Sequence, residues 1–156
     1  MSQVRSRHAT HLDEHCGDGG RRRGHREKRA LLIHRLIKRD GCQCVWCGAT
    51  LPHSGEEVTV DHLIPNSVSH SMRAVNLVLS CTTCNNERGD MPLDEWARRA
   101  ERLELTPNLR AVERALDNTA AMGLPYSSLA AEQLDAVRRI RESAVLDSLH
   151  AVPALA

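Results

Sequence analysis

Aromatic side chains are nearly missing from this chain. It has no Phe, one Tyr (Tyr126) and two Trp (Trp46 and Trp96) in 156 residues. A core must therefore be assembled from Leu, Val, Ile and Ala, which give less buried area per residue than aromatics. The central segment holds too few large apolar residues to fold on packing alone, and small domains of that kind need a metal or disulfide staple. Long apolar runs are missing too. No stretch is long enough to span a bilayer, and no apolar h-region follows Met1. The chain is thus expected to stay off membranes and to reside in a reducing cytoplasm, where paired cysteines are more often metal ligands than disulfides.

An overall charge imbalance is also lacking, since the net charge is only +1. Its distribution is nonetheless uneven: residues 1–40 carry a net +6, residues 41–100 a net −3 and residues 101–156 a net −2. A basic segment before a slightly acidic body suits a polyanion partner or a solvated tail. Arg21, Arg22, Arg23, Arg26, Lys28 and Arg29 would give sequence-independent phosphate affinity in the first case.

Residues 1–24 are polar and glycine-rich without a hydrophobic period, and read as a disordered basic arm in which Cys16 has no nearby partner. A helix is expected from about His25 to Arg39, with Leu32, Leu36, Ile33 and Ile37 at helical spacing and Gly41 as its stop. Cys42 to Leu51 reads as a tight metal knuckle. Glu57–Ile64 and Val75–Ser80 read as strands separated by a polar loop over Asn66–Ala74. A helix should begin near Cys81 and another should run from Pro92 to Arg102 with Trp96 inward. Beyond Asn108, two more helices are expected around the break at Gly123 and Pro125.

Cys44-x-x-Cys47 and Cys81-x-x-Cys84 form the strongest chemical signal. Two thiolates from each of two short turns complete a tetrahedral shell that zinc accepts. Such a closed shell leaves no open coordination position, so this zinc is structural. Cys42 is a rival ligand at a looser spacing. A redox reading accounts for one pair but not two. The long gap between the pairs exceeds that of a common zinc ribbon, so something is inserted between the knuckles.

The insert carries Asp61-His62-Leu63-Ile64-Pro65 at a strand end, then Asn76, and Asn85 follows Cys84 directly. The set CVWCG, VDHLIP, NLVLSC and CTTCNNERGD resembles the HNH endonuclease family over about residues 30–100. The resemblance implies an α+β fold: a small ββα-metal finger with a structural four-cysteine zinc site, flanked by an N-terminal helix and C-terminal helices. It divides the chain into a basic arm (1–24), a nuclease domain (25–102) and a helical extension (103–156).

The resemblance also implies roles. His62 would be the general base, as a near-neutral imidazole allows. Asp61 and Asn85 would hold a catalytic Mg2+ or Mn2+, with Asn86 a rival to Asn85. Asn76 would hold the loop and orient the imidazole. Arg88 and Arg73 would contact the substrate phosphates. Many relatives have His in place of Asn85 and Lys in place of Arg88. His53 and His70 read as surface histidines. The partner would be DNA, with RNA the alternative. A non-catalytic zinc-finger-like binding or adaptor module competes with this reading, but gives no reason for Asp61, His62 and Asn85 to occur together. A zinc deaminase is set aside because no His-x-Glu precedes a Pro-Cys-x-x-Cys.

Overall fold

The structure is a computed structural model that describes residues 19–52 and 58–150, with side chains described for residues 27–52 and 58–144. Residues 1–18, with Cys16, and residues 53–57, with His53 and the expected first residue of the first strand, lie outside the described residues.

The first helix, α1, spans Gly19–Asp40. It starts earlier than its apolar period suggested, so the last six residues assigned to the arm are helical. Ile33 and Leu36 are buried, with Leu32 and Ile37 beside them, as the spacing predicts. Lys38 and Arg39 occupy the last turn, where cations complement the helix dipole. Gly41 follows in a left-handed conformation (φ +89°) and its N–H closes on Ile37 O at 2.8 Å. Arg39 does more than serve the dipole. It is braced by Asp40 and donates to Ala74 O at 2.7 Å and Leu77 O at 2.6 Å, fastening the end of α1 to the segment before the second strand.

Strands β1 (Val58–His62) and β2 (Leu77–Cys81) pair antiparallel with Val58 opposite Cys81 and His62 opposite Leu77. A two-stranded ribbon is marginal alone. Here Leu77, Val78, Leu79 and Ser80 are all buried: the knuckle bonds the strand edge through Val45 N to Leu79 O (2.9 Å), and α1 and helices later in the chain pack on the strand. The polar loop between the strands is more structured than its composition indicated. It contains a short helix, α2 (Asn66–Ser69), and a 3-10 turn at Ala74–Asn76.

Helix α3 (Thr82–Arg88) follows β2 directly, giving the expected β, β, α order. In α4 (Leu93–Arg102), Leu93, Trp96 and Ala100 face inward, and Trp96 meets Trp46 edge-on at 6.0 Å between centroids. Helix α5 (Leu109–Ala121) is capped by the Asn108 side chain, which accepts from Ala111 N. It packs along α6 (Ser127–His150) through Val112, Ala115, Leu116, Ala130, Leu134 and Val137. These helices share the core of the strands. Asn108 N donates to Val45 O at 2.6 Å, and Thr119 Oγ1 donates to Val75 O at 3.0 Å. No helix among the described residues is long and apolar enough to cross a membrane.

Candidate active site

The two cysteine pairs come together. The Sγ atoms of Cys44, Cys47, Cys81 and Cys84 all lie within 4.8 Å of one another. A tetrahedral zinc with Zn–S bonds of about 2.3 Å needs sulfurs roughly 3.8 Å apart, so a small contraction completes the shell. The first pair sits in a turn closed by Cys44 N to Ala49 O (2.8 Å) and Gly48 N to Cys44 O (2.9 Å), with Gly48 at φ +73° where a side chain would be strained. The second pair straddles the β2–α3 junction, and the Cys81 sulfur accepts from Cys84 N at the start of the helix. Cys42 is not in the cluster; its thiol donates to Leu51 O at 3.1 Å.

Crowding four thiols divides their acidities. Burial raises Cys44, but backbone hydrogen bonds from Cys81, Cys47 and Trp46 outweigh it and bring the pKa down to about 7. Burial pushes the Cys84 thiol far up, reinforced by the Cys44 charge, and Cys47 also rises through burial. One thiolate is stabilised and its neighbours resist ionising beside it, a conflict that a bound cation resolves.

Asp61, in β1, is 3% exposed and both of its oxygens are engaged. Trp46 Nε1 donates to Oδ2 at 2.7 Å, and Arg88 Nη1 donates to Oδ1 at 2.5 Å. Burial raises the Asp61 pKa, and the Arg88 charge with the Trp46 and Arg88 hydrogen bonds only partly offsets it. Arg88 itself is 2% exposed. Its Nη1 also reaches His62 O (2.9 Å), its Nη2 reaches Leu63 O (3.1 Å), and the guanidinium lies 5.5 Å from the Trp46 ring centroid. The expected solvent-facing phosphate ligand is therefore turned inward, against the carboxylate.

His62, next in the strand, is half-buried. Its Nε2 is covered and has no hydrogen-bond partner. The Ser71 backbone is close enough to interact with the ring. Burial lowers the His62 pKa below the ordinary 6.5; the Ser71 backbone and Asp90 oppose this, while the Arg88 charge adds to it. The shift favours the neutral ring, and Nε2 is bare. This corrects half of the expectation for Asn76. Its side chain does not reach the imidazole. It clamps the loop, with Oδ1 accepting from Ile64 N (2.8 Å) and Nδ2 donating to Ile64 O (2.8 Å) and Ser69 Oγ (3.2 Å).

On α3, Asn85 is half-buried and Asn86 exposed. Asn85 lies three residues before Arg88, on the helix face from which Arg88 reaches Asp61; Asn86 does not share it. Arg73 and His70 are exposed on the loop over β1, with His70 in a left-handed conformation (φ +45°).

The family model for HNH endonucleases matches residues 42–91, from the first knuckle to just beyond α3. Residues 42–91 are an HNH endonuclease domain. Over 85 residues, 54% of this chain, the sequence is 33% identical to the CRISPR-associated endonuclease Cas9 of Corynebacterium diphtheriae, and it spans 8% of that protein's length. The crystal structure of the Type II-C Cas9 enzyme from Actinomyces naeslundii aligns over 76% of this chain and 16% of its own, at 18% identity and a TM-score of 0.44. Three contributors escaped the sequence reading. Ser71 acts through its backbone and leaves no side-chain signal. The Trp46 indole N–H serves Asp61 as well as packing over the knuckle. Arg39 reaches across the fold from outside the matched segment.

Proposed function

We propose that the chain is a metal-dependent endonuclease that hydrolyses phosphodiester bonds in DNA, working in a reducing cytoplasm where its thiols stay available to metal. Support comes chiefly from His62, an imidazole that burial pushes toward its neutral form and whose Nε2 has no partner, at the end of a strand pinned by the cysteine cluster. Nε2 takes the proton from the attacking water once substrate entry uncovers it. Asn76 keeps Ile64 and Ser69 in place and thereby the loop that carries Ser71.

Zinc on Cys44, Cys47, Cys81 and Cys84 has a structural role. Asp61 and Asn85 are the groups that would hold a catalytic Mg2+ or Mn2+, which when bound stabilises charge on the phosphoryl group and the leaving 3′ oxygen. Arg73 is exposed and able to meet phosphate, whereas Arg88 must first leave Asp61. Arg35 and Lys38, exposed on α1, extend the cationic surface toward the nucleic acid backbone. A non-catalytic binding module would keep the cysteines but has no use for a bare histidine nitrogen.

Plasmid nicking tests the reading. Zinc-loaded protein with Mg2+ or Mn2+ should convert supercoiled plasmid to nicked or linear forms, EDTA should stop it, and His62→Ala should abolish it with zinc content intact. Undiminished cleavage by His62→Ala would overturn the assignment.

A further inference from the structure

The Asp61 carboxylate already has a cation. Arg88 enters from α3, spans from Asp61 Oδ1 to the backbone oxygens of His62 and Leu63, and lies against the Trp46 ring. A guanidinium with a carboxylate is among the stronger hydrogen-bonded pairs in proteins, and this one is almost fully dry. The arrangement is still imperfect. Arg88 Nε is buried with no hydrogen-bond partner, so the pose does not use every donor the side chain offers. A carboxylate accepts from more than one direction, but two positive groups on one buried carboxylate repel each other strongly where water is scarce.

We propose that Arg88 is an internal counter-ion that occupies the place of the catalytic divalent ion on Asp61, so that ion binding and the Asp61–Arg88 pair exclude one another. The inference rests on the reading of Asp61 as an ion ligand given above. Arg88 is on this account a positioning residue. It keeps a buried carboxylate compensated and ready in the ion-free protein, and ion entry releases it from Asp61. Apparent ion affinity is lowered by the work of breaking the pair, and the nuclease is held off until the ion is abundant. The pair also sets the order of events, because a guanidinium still on Asp61 is withheld from the substrate phosphate.

Mg2+ binding to the zinc-loaded full chain, followed by calorimetry, tests this without any cleavage assay. Arg88→Met keeps the length of the side chain and removes the charge, and should bind Mg2+ roughly tenfold or more tightly than the parent, the scale of one lost charge-assisted hydrogen bond. Arg88→Lys cannot reach Asp61 and two carbonyls at once, and should fall between the two. A purely structural Arg88 would leave the affinity unchanged or weaken it in both variants. In the unmutated protein, the Arg88 guanidinium protons should be protected from exchange without Mg2+ and lose that protection on saturation. Protection that persists at saturation overturns the proposal even if neither variant folds. Asp61→Asn separates the two levels. Mg2+ binding that is absent altogether, or that survives Asp61→Asn, overturns the ion reading and the exclusion with it. Binding that needs Asp61 but ignores Arg88 overturns the exclusion alone.

Discussion

Removing the Asn76 side chain should damage both the fold and the reaction, by amounts that follow from its contacts. Asn76 is 0% exposed and satisfies the N–H and the C=O of Ile64, which is itself fully buried. In Asn76→Ala both backbone groups lose their partner, and each orphaned buried group costs about 1–3 kcal/mol. Loss of the weaker bond to Ser69 Oγ adds little, so the total is roughly 2–6 kcal/mol. For a chain of this size that lowers Tm by roughly 4–24 °C. Asn76→Asp should do no better, since its second oxygen would face Ile64 O and place a charge in a dry site. Urea unfolding of the zinc-loaded proteins at neutral pH measures the stability change directly. The kinetic effect passes through Ser71. A loop shift of about 1 Å turns the His62 ring away from its working direction and should cut kcat by roughly a hundredfold, with KM changing much less. An Asn76→Ala protein within about 1 kcal/mol of the parent would refute the assignment of the Ile64 bonds as the clamp. A kcat loss matched by an equal rise in KM would refute the route through His62.

Other consequences are equally open to measurement. Cys81→Ser should lose bound zinc, by elemental analysis, and unfold in the same step, whereas Cys42→Ser should keep one zinc per chain because Cys42 lies outside the cluster. Because His62 must be neutral to accept a proton and its pKa is lowered from 6.5, the acid limb of the pH–rate profile should lie below pH 6.5; a limb above that value contradicts the burial seen here. The same shift makes the unfolded chain bind the His62 proton more readily, so this contribution to stability is present above pH 6.5 and lost as pH falls through the folded-state value. Trp46→Phe keeps the packing on Trp96 but removes the donor to Asp61, and should cost about 1.5–3 kcal/mol in urea unfolding, the range for a hydrogen bond to a charged group.

The cysteine spacing and the β, β, α order were legible because each has a local signature: paired thiolates at knuckle spacing, β-branched residues at Val58–Val60, and a proline after the strand. Trp96 was readable as core from its helical position, and it is 1% exposed. What escaped was decided by contacts between distant segments. Nothing local in Arg39 tells that it spans to Ala74 and Leu77, and nothing in Arg88 tells that it turns inward rather than outward, since a cation near a carboxylate suits either direction. Composition misjudged the start of α1, because Gly19, Gly20 and Gly24 weigh against a helix whose propagation from the apolar stripe carries through them. The loop after Pro65 was read as irregular from its polar residues, yet its order derives from the single buried Asn76 side chain, eleven residues past the proline that opens α2.

The helices past residue 102 bear on how portable the HNH domain is. Val112, Ala115 and Leu116 press on the same core that backs β2, while Asn108 and Thr119 close backbone groups at Val45 and Val75. Cutting out only the segment that matches the family would expose that apolar face and strand those groups. A transplant of the HNH segment into another protein must therefore either carry α5 and α6 with it or find in its new host a surface that does their work.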